Sequence, residues 1–411
     1  MSRVSYFQDL LTSIFERGTS GARAQDARSL DALCLALMSE RGEVSGHKIA
    51  LAVLDRFESA THAEQLAFFA MLSRRYDIDA QAVHRVSAQY ADDQSVENFY
   101  KLRRVTEPGR LTLLRRLNST QGATGRLVKM REVLLSMLEE NPSFERADQD
   151  FEYLFKSWFN RGFLVMKPVN WQSPASLLEK IIAYEAVHAI NDWDDLRRRL
   201  QPADRRCFAF FHPAMPDEPL IFVQVALTSS IPNSIGQVLA EDREPLDETT
   251  ANTAVFYSIS NCQTGLRGVS CGNFLIKQVA ADLAESFPQL KTFVTLSPVP
   301  GFVRWVREKR ADLEPVARMP TEVAESLTTI ESLADGGPVD VSNSQREQVL
   351  SFSSHYLCEI KQAYGLPRDS VTRFHLGNGA SLERIHWMAD ATGKGLKQSA
   401  GIMVNYRYDL K

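Results

Sequence analysis

Apolar positions recur at helical spacing through the first 160 residues. Phe7, Leu10, Leu11, Ile14 and Phe15 share one helix face, with Gly18 placed where a C-terminal cap belongs. Leu30, Leu33, Cys34, Leu37 and Met38 repeat the pattern and stop before Gly42. Thr61 with Glu64 reads as a capping box ahead of Leu66, Phe69 and Leu72. Leu127, Met130, Leu134 and Leu138 mark a further helix that Asn141-Pro142 brings to an end. Only two of the 17 prolines and seven of the 21 glycines fall within residues 1–160. The pattern predicts an all-α bundle of about six to eight helices there, with no repeat of fixed period.

Beyond residue 161 the period changes. Runs rich in β-branched and aromatic residues predict strands at Cys207–Phe211, Leu220–Leu227, Ala254–Ile259, Thr292–Leu296 and Ile402–Tyr408. Helical patterns lie between them at Ser176–Ile190, Val269–Ser286, Ser344–Tyr364 and Ala380–Asp390, and Pro315–Val341 reads as a connection. Strands alternating with helices over some 250 residues imply a mixed α/β domain. The fold class is therefore α+β with two domains, 1–160 helical and 161–411 α/β.

Composition narrows the function. The 411 residues are 44% hydrophobic, with 47 Lys and Arg against 51 Asp and Glu, a formal charge of −4. That balance lacks the basic footprint of a nucleic-acid binder. Five cysteines without regular spacing point to a reducing compartment rather than a disulfide framework. No apolar run reaches the ~18 residues of a membrane span. The first residues lack a signal-peptide core, so the expected location is the cytoplasm. No metal-ligand spacing is present.

Three segments carry candidate chemistry. From Tyr257 to Lys277 a strand feeds a loop bearing Gly265, Gly268 and Gly272, and an apolar-periodic helix follows. Glycines and free amides at a helix start suit a pyrophosphate, with Arg267 and Lys277 adding charge; a tight strand–helix turn is the alternative. Within it, Gly268-Val-Ser270-Cys-Gly272 matches the nucleophile elbow of hydrolases, yet it stands too far from its strand for that geometry. At Ser297-Pro298-Val-Pro300-Gly301 a hydroxyl leaves a strand on a stiff turn, placed either to bond a reacting group or merely to satisfy the turn. His375 precedes Gly377-Asn378-Gly379 and an expected helix start, near the mouth of a site if it moves protons and bonded to the loop if it is structural. Blander readings suit His386 as a helix-face residue and Arg197–Arg199 as a solvated helix end, while Tyr184-Glu185-Ala-Val-His188, on a helix, reads either as catalytic or as a polar packing contact, the latter favoured.

Taken in order, Tyr184–His188, Phe211-His-Pro213, Gly265-Leu-Arg267-Gly-Val, Phe274–Lys277, Leu296–Phe302, His375–Ala380, Trp387–Asp390 and Met403–Tyr408 resemble the malonyl-CoA decarboxylase family. The resemblance implies a helical oligomerisation domain at 1–160 and a GNAT-like, acyl-CoA-binding α/β domain at 161–411. It implies decarboxylation of malonyl-CoA without a cofactor, in a homodimer or homotetramer. Ser297 and His375 fall on the family's catalytic serine and histidine, and Tyr408 on its C-terminal aromatic. Arg267, Gly268, Val269, Ser270, Cys271, Gly272 and Asn273 fall on its CoA-contacting segment. Ser270 stands where animal relatives carry glutamate, and His386 where asparagine is common. A GNAT-type acyltransferase, a thioesterase using Ser270 and a non-catalytic acyl-CoA-binding scaffold are the competing readings.

Overall fold

In a computed structural model, residues 27–39, 42–269, 275–313, 321–337 and 340–410 are described. The expected first helix around Phe7–Phe15 lies outside them, as do Ser270, Cys271, Gly272 and Asn273. Two compact units divide between Leu154 and Phe155.

The described part of the first unit is helical. Among the described residues the helices are α1 (Leu30–Ser39), α2 (Glu43–Glu58), α3 (His62–Arg75), α4 (Ala80–Asp92), α5 (Val96–Thr106), α6 (Gly109–Leu117), α7 (Ala123–Met137) and α8 (Glu145–Trp158), the last of which runs on past the division. The α3 start is the capping box that the sequence shows: the Thr61 hydroxyl accepts the Glu64 amide while Glu64 reaches back to the Thr61 amide. Leu33, Leu37, Leu54, Phe69 and Leu114 are buried, and Phe57, Phe68 and Phe69 meet edge to face. Arg110, also buried, is neutralised by Asp77 and Asp150.

Among its described residues the second unit holds one sheet of eight strands: β1 (Val165–Pro168), β2 (Arg205–His212), β3 (Met215–Thr228), β4 (Thr253–Asn261), β5 (Thr292–Thr295), β6 (Ser297–Pro298), β7 (Ser381–His386) and β8 (Met403–Arg407). Neighbours run β1-β2-β3-β4-β5-β8, with β6 and β7 also pairing with β8. All pairs are antiparallel except β4 with β5. The helices are α9 (Ala175–Tyr184), α10 (Trp193–Leu200), α11 (Ile235–Leu239), α12 (Leu275–Ser286), α13 (Phe302–Leu313), α14 (Thr321–Ala334), α15 (Asn343–Cys358), α16 (Ser370–Gly377) and α17 (Gly393–Ser399). The two-part class, helices followed by a mixed sheet, is thus what the chain adopts.

Four local expectations are corrected. Ala380–Asp390 is not helical: its Ser381–His386 part pairs with β8 as a strand. Leu382 and Ile385 mimic a helix spacing, but a partner strand overrides so short a signal. Pro315–Val341 is more than a connection, because α14 occupies it and buries Leu327, Ile330 and Leu333. The helix expected over Ser176–Ile190 ends at Tyr184, where Glu185 turns extended. The one expected to reach Tyr364 ends at Cys358. Among the described residues no helix is long and apolar enough to cross a membrane.

Candidate active site

The site forms where the two strands that flank the end of the sheet meet α16. Side chains along a strand alternate between faces, so residues two apart project together. Thr295 and Ser297 stand two apart across β5 and β6, and Tyr406 and Tyr408 two apart along and just past β8. Pairing of Ser297 with Val404 sets these two couples side by side. Over them lies α16, whose first turn is capped by Asp369: its Oδ1 accepts the amides of Val371 and Thr372 at 3.0 and 2.8 Å. The Thr372 hydroxyl then meets the Tyr406 hydroxyl at 2.7 Å.

His375 sits on the last turn of this helix. It is buried and followed by a strand, not poised at a rim ahead of another helix. Its Nε2 is 3.1 Å from Ser297 Oγ, and its Nδ1 is 2.8 Å from the Tyr408 hydroxyl. The imidazole stacks on the Tyr406 ring, centroids 4.5 Å apart and planes 22° from parallel. Ser297 donates to Thr295 Oγ1 at 2.9 Å, so its own oxygen offers His375 a lone pair. Nε2 therefore carries the imidazole proton, and Nδ1 accepts from Tyr408. Donation runs from Tyr408 through His375 and Ser297 to Thr295.

Burial decides the charge states. Burial pushes the imidazole of His375 down to about 3, so it is neutral at pH 7. Burial likewise raises the Tyr408 phenol, keeping it a hydrogen-bond donor. An uncharged relay of hydroxyls and imidazole is the result.

Ser297 and His375 both line a cavity of about 350 Å³, whose other walls include Val187, Tyr257 and Phe374. A second pocket of about 300 Å³ is lined by Arg267, Gly268 and Val269 and shares Ile221 and Asn261 with the first. Gly268 has φ +82°, a backbone state that disfavours any side chain, so glycine there serves the geometry of the turn. The rest of the expected CoA segment, Ser270–Asn273, lies outside the described residues.

Several contributors escape a residue-by-residue reading of the chain. Thr295 accepts from Ser297 and Tyr406 stacks on His375; their T-x-S and Y-x-Y spacing was the available signal. His386 lies on β7 rather than a helix face; its Nε2 meets Asn405 Oδ1, while Asn405 Nδ2 donates to the Thr295 carbonyl at 2.6 Å. Arg199 is no solvated helix end: it is buried, paired with Asp195 at 2.9 Å and bonded to the carbonyls of His188 and Ala189. Tyr184–His188 leaves its helix after the first residue, and Glu185 accepts from Ser258, Gln224 and two backbone amides.

The sequence also matches known proteins. The model of the malonyl-CoA decarboxylase C-terminal domain matches residues 162–411, and that of the malonyl-CoA decarboxylase N-terminal domain matches residues 76–159. The mitochondrial malonyl-CoA decarboxylase of Anser anser anser is 37% identical over 336 residues, 76% of this chain and 66% of that protein. The chain thus spans about two-thirds of the length of this curated relative. Among solved structures, malonyl-CoA decarboxylase from Rhodopseudomonas palustris superposes with a TM-score of 0.86 at 45% identity, covering 93% of this chain and 92% of that one. The Agrobacterium vitis malonyl-CoA decarboxylase gives 0.84 at 47% identity, with 93% of each chain covered. Matched in both of its parts and along most of its length, the chain belongs to the malonyl-CoA decarboxylase family.

Proposed function

We propose that this chain is a carboxy-lyase that converts malonyl-CoA to acetyl-CoA and CO₂. The observation that carries the reading is the 3.1 Å approach of Ser297 Oγ to His375 Nε2 in the wall of a cavity that adjoins the Arg267–Val269 pocket. In the reaction the bond between the carboxylate carbon and the α-carbon breaks. Its electron pair passes into the thioester carbonyl as an enolate, CO₂ leaves, and a proton returns to the α-carbon. The thioester carbonyl is itself the electron sink, so the chemistry asks the protein for orientation and for donors aimed at the developing oxyanion. One such donor is typically worth ~2.7–4 kcal/mol.

In this reading the neutral imidazole of His375 donates a hydrogen bond from Nε2 to the thioester oxygen; as Nε2 passes its proton to the α-carbon, Nδ1 takes the Tyr408 proton, and a proton from water then restores the phenol. Tyr408 holds the tautomer by donating to Nδ1. Ser297, released from Thr295, donates to the malonyl carboxylate. The Arg267–Asn273 segment takes the CoA moiety, as the pocket lined by Arg267, Gly268 and Val269 supports. The two-domain division near residue 160, the helical part as an oligomerisation domain, and a homodimer or homotetramer belong to the same proposal, as does a cytoplasmic location.

Mass spectrometry of malonyl-CoA incubated with the purified chain tests the reading. Acetyl-CoA and CO₂ in equal amounts, formed with no second substrate, are expected. A requirement for an amine or thiol acceptor would make it an acyltransferase, free CoA a thioesterase, and binding without turnover a scaffold.

A further inference from the structure

The segment Glu185–Ala189 has no regular secondary structure, yet most of its backbone polar atoms are held. The amide of Ala186 donates to Ser260 Oγ at 3.2 Å, and those of Val187 and His188 donate to the Glu185 carboxylate at 2.8 and 3.0 Å. Lys394 donates to the carbonyls of Ala186 and Val187, and Arg199 to those of His188 and Ala189. The holders are themselves held. Ser258 and Gln224 donate to Glu185, and Asp195 grips the Arg199 guanidinium through both oxygens. Hydrogen bonds to ionised groups are roughly twice as strong as neutral ones. A loop without a ladder would ordinarily open readily, and this one is clamped.

What the clamp presents to the cavity is Val187, which lines the same pocket as Ser297 and His375. The polar ends of a malonyl thioester are claimed by Ser297 and His375. An alkyl branch on its α-carbon has to rest against apolar wall. Valine is stiff about χ1, and a clamped backbone cannot retreat to make room.

We infer that Val187, held by this loop, is a specificity-determining residue that excludes malonyl thioesters branched at the α-carbon. The inference rests on the decarboxylase reading. A single methylene in an apolar pocket is worth roughly 10–200-fold in discrimination.

The test compares kcat/KM for malonyl-CoA and methylmalonyl-CoA in the full-length chain, Val187→Ala and Val187→Ile, by mass spectrometry. Alanine widens the wall and is expected to raise the methylmalonyl-to-malonyl ratio by about tenfold or more. Isoleucine narrows it and is expected to lower the ratio several-fold. The two substitutions change volume in opposite directions, so opposite signs separate a size filter from general damage. Ratios for both variants within twofold of the unaltered chain overturn the inference alone. An unaltered chain that leaves malonyl-CoA intact overturns the decarboxylase reading, and this inference falls with it.

Discussion

A buried neutral imidazole between a serine and a tyrosine makes specific demands on substitution. Ser297→Ala removes one donor and His375→Asn removes the proton carrier, so each is expected to lower kcat by about 10²–10³ while changing KM far less. Steady-state kinetics on malonyl-CoA read this directly; near-normal turnover in both variants would refute the assignment. Acid should act on His375 through stability. Its folded value, about 3, lies below the ordinary 6.5, so the unfolded chain binds the proton first. Its stabilising contribution is complete above pH 6.5 and falls away as pH drops toward 3, by at most about 1.4 kcal/mol per pH unit. Urea unfolding at pH 7 and pH 5 should therefore show a larger loss for the unaltered chain than for His375→Asn. Because the folded imidazole stays neutral, kcat should show no limb near pH 6.5.

At the scale of single elements, caps and pairings decide which patterns become structure. The box at the start of α3 satisfies two amides that the helix leaves open. Thr61→Ala is expected to cost about 1 kcal/mol, read as a lower urea midpoint at unchanged m value. The helix α16 depends on its cap for more than its own stability. Asp369 fixes the first turn, Thr372 links that turn to Tyr406, and the Tyr406 ring sets the plane of His375. The strand β7 shows the converse case, a six-residue run whose local pattern suggests a helix and whose pairing with β8 makes it a strand. In α14, flanking Pro320, Gly336 and Gly337 masked a regular spacing of Val323, Leu327, Ile330 and Ala334.

For the whole molecule, family membership and the helical first unit lead to one expectation about assembly. Sedimentation velocity or mass photometry on the purified chain should give two or four copies of the 411-residue chain. A monomer at micromolar concentration would remove the oligomerisation role from the reading.

The helical period of the first unit, the runs that became β2, β3, β4, β5 and β8, and the serine, histidine and tyrosine motifs were legible in the linear chain, because they depend on short-range periodicity or on kinship of motifs. The approach of Ser297 to His375, 78 positions apart, was not. It needs β6 and β8 in register and α16 laid across them. Burial of His375, which fixes its charge, arises only when that packing excludes water. Nor could the chain alone announce that Lys394 and Arg199 clamp Glu185–Ala189, since the lysine lies more than 200 positions from the carbonyls it holds. Periodicity is a local property of residues, whereas proximity and desolvation are properties of the folded whole.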